Sequence, residues 1–155
     1  MRPSVFIIFG ITGDLARRKV LPSLYNLAKD GLLPEPTYLV GTSRRPMDAQ
    51  ALKTEIAEAV QAATGQPANQ AVIDSLQPSM VTLDPAKAED YRGLKDHLEQ
   101  LPVEQRLFYL SIPPEVYGQV VNYLGEQGLN QGPGPVRLLV EKPFGTDLAS
   151  AQALI

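Results

Sequence analysis

Gly10, Gly13 and Ala16, spaced Gly-x-x-Gly-x-x-Ala, stand between the apolar run Val5-Phe6-Ile7-Ile8-Phe9 and a stretch with helical spacing. A glycine backbone lets a phosphate come close. The unpaired N–H groups and positive dipole end of a helix opening there favour an anion. The strand-turn-helix therefore reads as a site for a nucleotide pyrophosphate. The spacing departs from the usual Gly-x-Gly-x-x-Gly, with Thr12 where a second glycine could stand. A βα turn without a ligand is the competing reading, and the position between strand and helix tilts the balance toward binding.

Two further groups have chemistry to offer. Arg44 and Arg45 follow the run Thr37-Tyr38-Leu39-Val40-Gly41, and no acid appears before Asp48. An Asp or Glu after the second strand would bond the ribose 2′-hydroxyl of NAD, whereas a guanidinium fork there suits the 2′-phosphate of NADP. The alternative is a pair of solvated loop arginines. Lys142, in Glu141-Lys142-Pro143-Phe144-Gly145 at the end of the strand-like Val136-Arg137-Leu138-Leu139-Val140, could reach a sugar hydroxyl, a phosphate or a cofactor. Its alternative is an exposed ion pair of little consequence.

The elements that must position these groups alternate along the chain. Apolar runs near residues 5–9, 37–41, 80–83, 106–112 and 136–140 read as buried strands, separated by helical patterns at 14–30, 49–63, 91–101 and 114–127. This predicts an α/β fold of the Rossmann type, a doubly wound parallel sheet in three α/β/α layers, with ligands beyond the carboxyl ends of the strands. Residues 1–155 form one dinucleotide-binding domain in this reading. Pro22 should kink or divide the first helix near Lys19, because it cannot bond the Arg18 carbonyl. Residues 64–78 resemble an insertion, with a short helix near 71–76. His97 reads as a surface residue. Tyr109 reads as core, and Tyr117, after the turn that would line the crevice, fits core and cofactor wall equally.

Composition narrows the function. Without cysteine and with one histidine, a thiolate nucleophile, a thiolate metal site and a multi-histidine centre are all excluded. Redox chemistry would need a cofactor. Fourteen basic against 17 acidic residues give no charge-based case for nucleic acid. No apolar run approaches the roughly 20 residues of a membrane span, and Met1-Arg2-Pro3 leads straight into a strand, so a cytoplasmic protein is expected.

Three blocks together resemble the N-terminal coenzyme domain of glucose-6-phosphate dehydrogenases. They are Phe9-Gly10-Ile11-Thr12-Gly13-Asp14-Leu15-Ala16-Arg17-Arg18-Lys19, Arg106-Leu107-Phe108-Tyr109-Leu110-Ser111-Ile112-Pro113-Pro114 and Val140-Glu141-Lys142-Pro143-Phe144-Gly145. The likeness implies that Gly10, Ile11, Thr12, Gly13, Asp14 and Leu15 wrap the phosphates of NADP, that Arg44 takes the 2′-phosphate, that Tyr117 borders the cofactor, and that Lys142 touches both coenzyme and glucose 6-phosphate. It also implies hydride transfer from that sugar in the pentose phosphate route and a homo-oligomer for the full-length protein.

The family's histidine base lies in an Arg-Ile-Asp-His-Tyr-Leu-Gly-Lys segment that is absent here. General-base catalysis needs a titrating group within reach of the proton, and none is evident. No catalytic residue is therefore assigned within this chain, and the 155 residues are expected to bind NADP and turn over almost nothing. The pattern at 146–155 reads as the start of a helix and suggests a piece of a longer chain. A non-catalytic NADP-binding or sensing module, and a dehydrogenase of another sugar, remain as alternatives.

Overall fold

The computed structural model describes residues 3–132 and 134–140. Among the described residues five strands, β1 (Ser4–Phe9), β2 (Thr37–Ser43), β3 (Pro78–Thr82), β4 (Gln105–Leu110) and β5 (Val136–Val140), form one sheet in the order β3-β2-β1-β4-β5. Each neighbouring pair is parallel. The α-helices among the described residues, α1 (Leu21–Lys29), α2 (Ala49–Thr64), α3 (Gln70–Ser75), α4 (Asp90–Glu99) and α5 (Tyr117–Glu126), make the connections.

The central strand β1 is apolar on both faces because both faces are covered. Val5, Ile7 and Phe9 pack with Tyr91, Leu94 and Leu98 of α4 and Tyr117, Val120 and Leu124 of α5. Ile8 packs on the other side with Leu21, Leu24 and Tyr25 of α1, Leu52 and Ile56 of α2 and Ile73 of α3. Each fully buried aliphatic side chain contributes about 1.5–3 kcal/mol. The result is the expected three-layer α/β/α arrangement. Strand order runs outward from β1 to β3, then reverses to β4 and β5, which places the switch point between the carboxyl ends of β1 and β4.

Two local features follow from the sequence. Ahead of α1 a π-helical turn spans Ala16–Val20, and the Leu21 N–H donates to the Ala16 carbonyl five residues back. Pro22 has no N–H for the Arg18 carbonyl, and the chain absorbs this by widening one turn without dividing the helix. Residues 64–78 are mostly exposed and anchored at a few points. Ile73 and Leu76 are buried, and the Asn69 N–H donates to the Tyr25 hydroxyl at 2.8 Å.

His97 is not the plain surface residue expected. Its Nε2 lies 2.9 Å from Ser79 Oγ, joining α4 to the edge strand β3, and burial holds its pKa below the ordinary 6.5. The folded state then binds fewer protons than the unfolded state between those two values. Stability is full above the unfolded value and is lost as pH falls through it toward the folded one. As the sole histidine, His97 should account for the fall in unfolding free energy just below pH 6.5. His97→Gln, followed by urea unfolding across that range, should flatten it. An unchanged slope would contradict the assignment.

Candidate functional site

The carboxyl ends of β1, β2 and β4 enclose a groove of about 870 Å³, within the roughly 300–1,000 Å³ typical of small-molecule sites. Its floor is the turn after β1. Gly10 has φ +80°, and a Cβ there would stand 2.2 Å from the Ser111 carbonyl oxygen. The turn can therefore cross the end of β4 only as glycine. The Gly13 N–H donates to the Gly10 carbonyl at 2.9 Å, and the first bond of the helix runs from the Arg17 N–H to the Gly13 carbonyl at 3.1 Å. The amides of Asp14, Leu15 and Ala16 precede that bond, so they have no partner within the helix. Helix dipole and amides together favour an anion at this place.

The second wall comes from β2. Ile11 is fully buried and its N–H donates to the Thr42 carbonyl at 3.3 Å. It seats against Gly41, where a Cβ would meet Ile11 Cγ1 at 3.0 Å and Met80 Sδ at 2.8 Å. This contact fixes the turn relative to the end of β2. Strand β2 runs on to Ser43, so Arg44 and Arg45 leave the sheet directly into the groove. Ser43 Oγ accepts the Arg45 N–H at 3.1 Å. Arg44 Nε is 3.8 Å from Asp84 Oδ1, with the arginine side chain 72% exposed. Such a surface pair is worth about 0–1 kcal/mol and does not tie the guanidinium down.

Leu83 and Pro85 form the third wall. The Leu83 N–H donates to the Ser43 carbonyl, and the buried Tyr91 hydroxyl donates to the Pro85 carbonyl at 2.9 Å. Burial raises the Tyr91 pKa, so the phenol remains a donor. The end of β4 closes the groove with Ser111, Ile112, Pro113, Glu115 and Val116.

The structure thus brings Gly10, Thr12, Gly13 and Arg44 into one groove. Ile11 turns its side chain into the core, and Asp14 pairs with Arg18 at 2.7 Å beside the groove, not lining it. Leu15 is half-buried and could offer its backbone amide. Tyr117 takes the core position. It is 2% exposed among the α4–α5 side chains, and Glu115 and Val116 line the groove ahead of it. Lys142 lies outside the described residues.

Sequence reasoning did not single out Arg17 or Ser111. Arg17 lines the groove and is held by Glu55 through two bonds, Nε to Oε2 at 2.8 Å and Nη2 to Oε1 at 2.9 Å. The Glu55 side chain is only 18% exposed. A carboxylate so placed would repel an anionic ligand without its arginine. Nothing in their spacing, 38 residues apart, announces the pair. Ser111 did carry a signal, as the polar residue that ends an apolar strand at the switch point. Among the described residues no cluster of three or more His, Cys, Asp or Glu could hold a metal ion, and no helix is long and apolar enough to cross a membrane.

A sequence model of the NAD binding domain of glucose-6-phosphate dehydrogenase matches residues 7–155. Glucose-6-phosphate 1-dehydrogenase of Chlamydia muridarum is 37% identical over 167 residues, covering 98% of this chain and 32% of that protein. Glucose-6-phosphate 1-dehydrogenase 2 of Mycobacterium tuberculosis is 39% identical over 161 residues, covering 98% and 31%. A solved structure of glucose-6-phosphate dehydrogenase in complex with glucose-6-phosphate superposes with a TM-score of 0.79 at 31% identity, covering 97% of this chain and 32% of that one. The chain spans about a third of the length of the relatives it matches.

Proposed function

The chain belongs to the glucose-6-phosphate dehydrogenase family through its NAD binding domain, and from that premise we propose that its groove binds NADP as the coenzyme part of an enzyme oxidising glucose 6-phosphate. The observation that carries the reading is the convergence of the Gly10–Gly13 turn and Arg44 on one groove at the switch point of the sheet. The diphosphate would lie over the amides that open the helix after Gly13. The 2′-phosphate would meet Arg44, with Arg45 beside it, and no carboxylate follows β2 before Asp48 to claim a 2′-hydroxyl. Lys142, two positions beyond the end of β5, belongs to the proposal as the group reaching both coenzyme and sugar phosphate. The bound coenzyme accepts hydride; the residues of this chain supply orientation and charge compensation. No described residue of the groove is placed as a general base for a sugar hydroxyl. The proposal therefore includes no turnover by these 155 residues alone.

Calorimetric titration of the chain with NADP and NAD at low ionic strength tests this reading. NADP should bind at least about tenfold more tightly, the scale of one charge-assisted contact. Equal affinities would remove the 2′-phosphate assignment.

A further inference from the structure

Ser111 closes β4 at the switch point. Its N–H donates to the Phe9 carbonyl at 3.0 Å, and its own carbonyl lies against Gly10. The residue is 8% exposed, yet its hydroxyl has no hydrogen-bond partner among the described residues. The buried hydroxyl that ends β2 at the same edge of the sheet is engaged: Ser43 Oγ accepts from the Arg45 N–H. Burying a hydroxyl without a partner costs stability, and alanine would fill the same strand end without that cost. Ser111 also lines the groove, beside the turn whose helix presents its opening amides.

We infer that the Ser111 hydroxyl donates a hydrogen bond to an oxygen of the diphosphate bridge of a bound dinucleotide. It would face the amides of the Gly10–Gly13 turn across that bridge, so that the diphosphate is gripped from β4 as well as from β1. The inference rests on the dinucleotide reading of the groove and adds a positioning residue to it. Ser111 donates from the strand on the far side of the switch point, and its contact therefore fixes the diphosphate in the crevice between β1 and β4. Its hydroxyl, shut off from solvent in the ligand-free chain, turns about χ1 to reach the diphosphate and is satisfied only when ligand is present.

The test compares the chain with Ser111→Ala and Ser111→Cys in thermal unfolding and in titrations with NADPH and with adenosine 2′,5′-bisphosphate, which lacks the diphosphate bridge. Ser111→Ala should unfold at the same temperature or higher. It should bind NADPH about tenfold more weakly, the loss expected of a hydrogen bond to a charged group. Ser111→Cys, with a weaker donor, should fall between. Affinity for adenosine 2′,5′-bisphosphate should not change. A lower unfolding temperature with unchanged NADPH affinity would assign Ser111 to the scaffold and overturn the inference. An equal loss for both ligands would also overturn it, by showing a general disturbance of the groove. Failure of the unaltered chain to bind NADPH would overturn the dinucleotide reading itself, and this inference with it.

Discussion

Gly10→Ala should be severely damaging, lowering the unfolding temperature by about 5–20 °C and abolishing dinucleotide binding. Two costs combine. A non-glycine residue at φ +80° carries about 1–3 kcal/mol of backbone strain. The added Cβ would also lie 2.2 Å from the Ser111 carbonyl oxygen and 2.9 Å from Ile112 Cγ2. Backbone cannot yield as a flexible side chain does, so overpacking adds about another 1–3 kcal/mol. The sum, roughly 2–6 kcal/mol, is a large part of the 5–15 kcal/mol that holds a typical domain, and at about 2–4 °C per kcal/mol it gives a range that brackets the stated shift. Relief requires the turn to part from β4, which takes the helix amides away from the groove. Gly31→Ala is the control, since Gly31 has φ +70° but open space around its Cβ position. It should cost only the backbone strain, about 1–2 kcal/mol. Equal losses at the two sites, measured by thermal unfolding, would show that the close crossing over β4 is not what demands glycine.

Arg44→Ala should weaken NADP binding by about 10–100-fold, the effect of about 1.5–3 kcal/mol for a hydrogen bond to a charged group, while leaving NAD nearly unchanged. The side chain is 72% exposed and its pair with Asp84 is long, so the fold should lose at most a few tenths of a kcal/mol. Loss of affinity without loss of stability is what separates a ligand contact from a structural ion pair. Arg44→Lys should retain part of the preference, because the charge stays and the planar fork is lost. Raised salt should narrow the gap between the two coenzymes in the unaltered chain and have little effect in Arg44→Ala. An NADP preference undiminished by Arg44→Ala, in paired calorimetric titrations, would move the 2′-phosphate to another cation of the groove, such as Arg45 or Arg17.

The architecture was legible because its signals are local. β1 shows as an unbroken apolar run since both its faces are covered, and each helix shows by spacing since only one face is. Pro22 forecast a disturbance near Lys19, and its form, a widened turn at Ala16–Val20, depends on how the helix packs against β1 and α2. The groove's walls were legible where a strand end carries an unusual residue, as at Gly10 and Arg44. Contacts set by distant pairings were hidden. The Arg17–Glu55 grip, the Tyr91 bond to the Pro85 carbonyl and the His97–Ser79 link join residues brought together only by the fold. Tyr117 shows the same limit. Its position after the β4 turn suited a cofactor wall, yet the inner face of α5 carries it into the core, because a helix starting there must bury Tyr117, Val120 and Leu124 together.

Backbone amide shifts of the labelled chain, recorded as NADP is added, test the central claim most directly. The largest changes should fall at Gly10, Thr12, Gly13, Asp14, Ser43, Arg44 and Ser111, all at the carboxyl ends of β1, β2 and β4. The amides lining the cleft of about 490 Å³ at the opposite end of the sheet, among them Leu33, Glu35 and Ser75, should stay still. Changes concentrated at that opposite cleft, with Gly13 and Arg44 unmoved, would contradict the account.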